Sequence, residues 1–72
     1  MKVELKIDGM KCGMCEAKVN KIIRDTIPNA KKIKSSSKKN ISSFVVDDES
    51  LLERVAENIS LEGYKVLEVL KK

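Results

Sequence analysis

Residues 2–15, KVELKIDGMKCGMC, decide the fold of this 72-residue chain. In the first half of this stretch Val3, Leu5 and Ile7 alternate with polar residues, which is the period of a β-strand with one buried face. Gly9 ends that strand, and helical spacing begins near the second cysteine. The stretch therefore predicts a strand over residues 2–8, followed almost at once by a helix with two cysteines at its start.

The first helix is predicted from an apolar pattern that starts at Cys15. Apolar residues recur at the spacing of an amphipathic helix, at Cys15, Val19, Ile22 and Ile23. Pro28 cannot continue a helix and disfavours helical geometry in the residue before it. We therefore expect this helix to cover about residues 14–26.

Two β-compatible runs follow, at residues 30–36 and 40–46, on either side of a polar loop at 37–40. The first run consists mainly of lysine and serine, which is typical of an edge strand protected from pairing with other chains. Five lysines and no acidic residue fall in this region, at Lys31, Lys32, Lys34, Lys38 and Lys39. We interpret them as a guard of the edge, and contact with a membrane or an acidic partner is the alternative.

A second helix and a last strand complete the chain. Ser50 and Glu53 have the spacing of a capping box, in which each side chain bonds the other's backbone N–H. Apolar residues at helical spacing then predict a helix of about residues 50–60, and Gly63 is placed to end it. Residues 64–70 form the last predicted strand.

The predicted order is thus βαββαβ, two βαβ halves joined by a hairpin. This order predicts an α+β fold of the ferredoxin-like type: a four-stranded antiparallel sheet with two helices on one face. The alternation in the first strand indicates that the other face of the sheet meets solvent.

Composition excludes several functions. The net charge of +4 is mild and the only aromatic residues are Phe44 and Tyr64, so stacking on single-stranded nucleic acid is poorly supported. No apolar run is long enough to span a membrane and no signal peptide is visible, so we expect a cytoplasmic protein without stable membrane insertion. Histidine is absent, which leaves Cys12 and Cys15 as the only strong soft ligands or nucleophiles.

The two cysteines predict a metal site at the start of the first helix. The helix N-terminus carries a partial positive charge, which favours the thiolate form of a nearby cysteine. Two thiolates suit Cu(I), whereas structural Zn(II) usually takes four ligands. We therefore expect one Cu(I) to be bound by Cys12 and Cys15.

Residues 9–15, GMKCGMC, resemble the GMxCxxC signature of heavy-metal-associated domains, which occur in small copper chaperones and at the N-termini of copper-transporting ATPases. The resemblance extends over the chain through its element order, its length and the Gly63-Tyr64 pair. It implies a single heavy-metal-associated domain over residues 1–72, with Cys12 and Cys15 as the metal ligands. It also implies that Met10 is buried beneath the loop and that Tyr64 packs close by.

The resemblance implies a non-enzymatic role as a metallochaperone. Such a protein passes Cu(I) by thiolate exchange to a copper-transporting P-type ATPase or its N-terminal metal-binding domain. Zinc-selective relatives often have Asp before the first cysteine, where this chain has Lys11, so the resemblance implies copper rather than zinc. We expect a monomer, with a copper-bridged dimer as a possible loaded form.

Two other functions stay open at this stage. A CxxC pair also occurs in thiol-disulfide oxidoreductases, although the lone Pro28 is poorly placed to face the cysteines as the proline of the thioredoxin fold does. The chain would share its site with the metal-sensing domain of a heavy-metal ATPase. Met14 is expected to be exposed. Lys18, Lys21 and Arg24 are expected to lie on the outer side of the first helix near the metal loop, together with Lys11, and to steer an acidic partner.

Overall fold

The computed structural model describes residues 1–11 and 13–72 and has the predicted element order. Its elements are β1 (Lys2–Asp8), α1 (Gly13–Thr26), β2 (Lys31–Ser36), β3 (Ile41–Val45), α2 (Leu52–Leu61) and β4 (Lys65–Lys71). Each predicted element is present, and its ends lie within two residues of the predicted ones. Neither helix, over the residues described, is long and apolar enough to cross a membrane.

The four strands form one antiparallel sheet in the order β2-β3-β1-β4. The predicted ferredoxin-like architecture, with two helices on one face of the sheet, is therefore confirmed. β2 lies at one edge, as its lysine content predicted, and β4 lies at the other. Helix α1 packs on the β2 side of the sheet and α2 on the β4 side.

The core lies between the sheet and the helices. The alternation in β1 has the expected consequence, because Val3, Leu5 and Ile7 are completely buried. The helices and β3 contribute further apolar side chains that are at most 1% exposed: Val19, Ile23, Phe44, Val55 and Ile59.

A short polar chain links α1 to the hairpin. The hydroxyl of Ser35 donates to Oδ1 of Asn20 at 2.6 Å and lies 2.7 Å from the hydroxyl of Ser42. Because Ser35 gives its hydrogen to Asn20, Ser42 is the donor to Ser35. Ser42 is completely buried, so this bond satisfies a polar group that would otherwise destabilise the core.

The start of α2 corrects one expectation. The predicted capping box of Ser50 and Glu53 is wrong: the helix begins at Leu52, its N-cap is Leu51, and no side chain caps it. The backbone N–H of Ser50 instead donates to Oδ1 of Asp48 at 2.8 Å. Aspartate often closes a local turn in this way. The N–H of Ser50, which the capping box would have paired with the side chain of Glu53, is therefore already bonded within the turn before the helix.

Strand β2 contains a bulge that the sequence pattern did not indicate. Lys31 pairs with Val45 and Lys34 with Ser43, so two residues of β2 lie opposite one of β3. Within the bulge Lys32 has φ +54°, in the left-handed region. The bulge places Lys31 and Lys34 on one face of the sheet, since their partners Val45 and Ser43 share a face.

Candidate metal centre

The loop between β1 and α1 begins with a glycine that the geometry requires. Gly9 has φ +108°, a conformation that L-residues rarely adopt. A Cβ at this position would lie 3.6 Å from Cδ1 of Tyr64 and 3.9 Å from the carbonyl oxygen of Gly63. Tyr64 therefore packs against the start of the loop, where the resemblance implied that it would.

Met10 anchors the loop to the core. Its side chain is only 4% exposed and belongs to the same buried cluster as the β1 residues. The apolar contact holds the chain down just before the two cysteines, as expected for a residue beneath the loop. The burial of Met10 thus fixes the described part of the loop to the core.

Cys15 lies in the first turn of α1, as its third residue. It is half-buried and packs against the hydrophobic core, as do Tyr64 and Ile22. Backbone N–H groups at this end of a helix lack partners within the helix and favour negative charge. The position therefore suits a thiolate that packs against the core on one side and is partly exposed to solvent on the other. Cys12, the other predicted ligand, lies outside the described residues.

Two neighbours of Cys15 in the sequence are exposed. Met14 is 82% exposed, as expected, and Lys11 is also exposed. The loop and the helix start thus present one apolar side chain and one positive charge to solvent.

The β2–β3 turn borders the same end of the molecule. The backbone N–H of Ser37 donates to Oε2 of Glu16 at 2.6 Å, and the N–H of Ile7 donates to the carbonyl oxygen of Asn40 at 2.8 Å. The first bond ties the turn to the opening turn of α1, next to Cys15. The backbone N–H of Ser37, followed by its hydroxyl, lowers the pKa of Glu16.

This neighbour of the loop was not predicted from the sequence. The lysines of the turn were interpreted as an edge guard, with a membrane or an acidic partner as the alternative, but Lys38 and Lys39 are exposed at the metal-loop end. The element order contained the signal. Since β2 runs parallel to β1 in this topology, the end of β2 must lie at the same end of the sheet as the end of β1.

Solved structures were compared with this fold. The "CopZ metallochaperone" superposes with a TM-score of 0.80 at 22% identity, covering 93% of this chain and 100% of the other. The yeast copper transporter domain Ccc2a, solved in apo and Cu(I)-loaded states, gives 0.81 at 26%, covering 97% and 94%. A copper-binding domain from HMA7, a P-type ATPase, gives 0.79 at 24%, covering 97% and 93%. Neither the scan of protein-family models nor the search of curated proteins finds a match.

The chain has the heavy-metal-associated domain fold. The structures establish this likeness over nearly the whole chain, even though the sequences are too different for family models to match. In this heavy-metal-associated fold the junction of β1 and α1 carries the CxxC pair of this chain.

The predicted basic patch on α1 needs one correction. Lys18, Lys21 and Arg24 are all exposed, as expected. Arg24 lies in the last turn of α1, however, nine residues after Cys15 and so about 14 Å along the axis. The exposed basic residues near the metal loop therefore include Lys11, Lys18, the lysines of the β2–β3 turn and Lys65, which lies opposite Asp8 at the end of β1.

Carboxylates are the other candidate metal ligands at this end of the molecule. Asp8 is exposed at the end of β1, and the carboxylate of Glu16 accepts the bond from Ser37. Within residues 1–11 and 13–72, no three or more His, Cys, Asp or Glu residues form a group that could hold a metal ion.

Proposed function

We propose that this chain is a metal carrier that binds one Cu(I) through Cys12 and Cys15. It delivers the ion by thiolate exchange to a copper-transporting P-type ATPase or to the N-terminal metal-binding domain of one. The chain catalyses no bond chemistry, and it acts in the cytoplasm as a monomer that can form a copper-bridged dimer.

The position of Cys15 carries this proposal. A half-buried thiol in the first turn of a helix, above the buried Met10, can bind a soft cation without a large rearrangement. With Cys12 three residues earlier, two thiolates can share one ion. The exposed surroundings of Cys15 leave a path for a third thiolate.

Transfer follows from the low coordination number. A thiolate of the partner adds to the two-coordinate Cu(I), and one thiolate of this chain then leaves the three-coordinate ion. A second exchange releases the ion to the partner. The copper stays Cu(I), so no electron is gained or lost, and each departing thiolate is free to take up a proton.

The comparisons support the metal and the type of partner. The neighbours named above are a metallochaperone and copper-binding domains of a transporter and of a P-type ATPase. Each of the three is named for metal transport or copper binding, and none is named for thiol-disulfide exchange. These are properties of those proteins, and for this chain they favour copper transfer over thiol-disulfide exchange.

The charges around the loop favour an acidic partner surface. Lys11, Lys18, Lys38 and Lys39 are exposed on three sides of the metal-loop end. Such a group of like charges raises the rate of encounter with an acidic surface and is screened by salt.

An anaerobic Cu(I) titration against a competing chelator tests the binding step. We expect one Cu(I) per chain for the wild type and loss of tight binding for C12S/C15S. The matched control is Met14→Gln, which removes the exposed thioether beside Cys15 and should bind as the wild type does. Retention of wild-type affinity by C12S/C15S would overturn the proposal.

The docking step has its own test, the rate of Cu(I) transfer to a copper-ATPase metal-binding domain. The variant K38Q/K39Q should slow transfer and weaken its salt dependence. The control K21Q/R24Q removes the same charge farther from Cys15 and should have a smaller effect. Equal effects of the two variants would remove the β2–β3 turn from the docking surface.

An insulin-reduction assay tests the alternative function. Reduction of insulin by the metal-free protein would favour the oxidoreductase over the metal carrier.

A further inference from the structure

We propose that the β2 side of the open sheet face docks on an anionic lipid membrane surface. The surface consists of Lys2, Lys31, Lys32 and Lys34, here called the lysine face. Docking is peripheral and needs no inserted segment. It would hold the chain near a membrane-embedded ATPase, and this last consequence rests on the proposed function.

Strand register brings these lysines together. Lys2 and Lys31 both pair with Val45, from opposite sides of β3, so the three residues form one row across the sheet. The next row contains Lys34, Ser43 and Glu4 in the same way.

The β2 bulge completes the lysine face. Because two residues of β2 lie opposite one of β3, Lys31 faces the same side as Lys34. Lys32, within the bulge, lines a single shallow depression together with Lys2 and Lys34. Without the bulge, strand alternation would turn Lys31 toward the helices and divide the group.

One acid, Glu4, borders the lysine face in the row of Lys34. Its carboxylate lies 3.1 Å from Nζ of Lys72, on the β4 side of the open face, where Lys6 is also 3.5 Å from Glu68. In the described part of the chain, no ion pair involves a lysine of the lysine face. The four lysines therefore outweigh the single bordering acid, and the face carries net positive charge.

The acids of α2 lie away from this face. Residues 26–46 contain five lysines and no acid, whereas residues 47–63 contain six acids and one arginine. Three of these acids follow closely on β3, and Glu53 and Glu57 lie in α2, which packs on the helix side of the sheet and near the opposite edge. This separation orients the molecule near a negatively charged plane, with the lysine face toward it and α2 away from it.

The composition of the face favours a lipid surface over a macromolecular partner. Protein interfaces usually depend on Trp, Tyr or Arg anchors, and single-stranded nucleic acid on aromatic stacking. The lysine face contains none of these residues. An anionic membrane attracts a polybasic surface by charge alone, without anchors.

This orientation leaves the metal centre accessible. The lysine face lies on the side of the sheet opposite the helices, while Cys15 lies at the end of the sheet from which α1 begins. Docking on the membrane would therefore place the metal loop to the side, where a second protein on the same membrane can reach it.

Sedimentation with lipid vesicles tests the inference on the metal-free, reduced protein. The vesicles contain phosphatidylcholine alone or phosphatidylcholine with phosphatidylserine. We expect binding only to the anionic vesicles, with loss at high salt. Each lysine near the surface contributes roughly five-fold in partitioning, so K31Q/K32Q/K34Q should weaken binding on the order of a hundred-fold.

The control variant K18Q/K21Q/R24Q removes the same charge from the outer side of α1. It should lose far less affinity than the lysine-face variant. Equal losses would mean that only net charge matters and would overturn the inference. So would absence of vesicle binding by the wild type, or tight binding to polyglutamate or duplex DNA without binding to vesicles.

A second measurement uses the wild type alone. A paramagnetic lipid in the vesicles should broaden backbone amide signals of β2 and spare those of α2. Broadening centred on α2 or on the metal loop would contradict the proposed orientation. Cu(I) titration of the same samples tests the metal site separately, so failure of either proposal is distinguishable from failure of the other.

Discussion

Replacing Gly9 by alanine tests how the metal loop is built. The new Cβ would lie 3.6 Å from Cδ1 of Tyr64 and 3.9 Å from the carbonyl oxygen of Gly63, which are ordinary contact distances. Steric contact of the new Cβ with neighbouring atoms therefore adds little to the loss of stability. The loss comes instead from the backbone conformation of residue 9, φ +108°. Holding an L-residue in such a sparsely populated conformation costs on the order of 1–3 kcal/mol, so Gly9→Ala should be less stable by that amount.

Gly13→Ala is the matched control in the same loop and helix start. A Cβ at Gly13 would meet no atom within 4 Å, and its φ is not in the left-handed region. Alanine should therefore leave stability unchanged or raise it by up to about 1 kcal/mol, because it restricts the unfolded chain.

Urea unfolding of the reduced, metal-free proteins measures both effects. If the dependence of the unfolding free energy on urea concentration is the same in both proteins, the shift in the urea midpoint reports the change in stability alone. In a domain of this size 1 kcal/mol corresponds to roughly 4–8 °C in Tm, so thermal unfolding should resolve the difference. Wild-type stability of Gly9→Ala, or an equal loss in Gly13→Ala, would refute the argument from backbone conformation.

Three further predictions follow from the described contacts and from the ligand set. Ser35→Ala should cost about 1–3 kcal/mol in urea unfolding because it leaves the buried hydroxyl of Ser42 without its acceptor, and S35A/S42A should cost less than the single change. The lowered pKa of Glu16 means that its charged form stabilises the fold above the unfolded value of 4.5, and that this contribution is lost as pH falls through the lower folded pKa. The stability difference between the wild type and Glu16→Gln should therefore be present at neutral pH and vanish in acid, and a difference independent of pH would contradict the assignment. Zn(II) should bind far more weakly than Cu(I), because the chain supplies two thiolates and no histidine; tight stoichiometric Zn(II) on a monomer in an indicator competition would show otherwise.

Local pattern was sufficient to predict the layers of the fold. Val3, Leu5 and Ile7 alternate with polar residues, so they point to one face of the sheet, and that face must be the one that the helices cover. All three residues are buried. Met14 is exposed, as expected, and Met10 is buried, as the family resemblance implied. The assignment of β1 depends on apolar side chains leaving water, which sequence spacing records directly.

Features set by competition between local hydrogen bonds were not predictable in the same way. Ser50 could cap α2 or enter a turn closed by Asp48, and these alternatives differ by too little for sequence spacing to decide. The bulge at Lys32 likewise depends on pairing with a distant strand. The bond between Glu16 and Ser37 joins residues far apart in sequence, and only the assembled topology brings them together.

The features of the candidate site also fall into two groups, those predictable from local sequence and those that depend on the assembled fold. Its ligands were predicted from the CxxC spacing and the position of a helix start, both local features. The position of the β2–β3 turn at this end could be inferred from the element order, whereas its hydrogen bond to Glu16 required the three-dimensional arrangement. The distance of Arg24 from the loop follows from helical rise alone and was predictable once the helix was assigned.

X-ray absorption at the copper edge, on dilute monomer loaded anaerobically with one equivalent of Cu(I), tests the central claim most directly. The account predicts Cu(I) with two sulfur neighbours and no nitrogen or oxygen ligand, and loss of this signal in C12S/C15S. Coordination dominated by nitrogen or oxygen, or an unchanged sulfur signal in C12S/C15S, would contradict the assignment of Cys12 and Cys15 as the ligands.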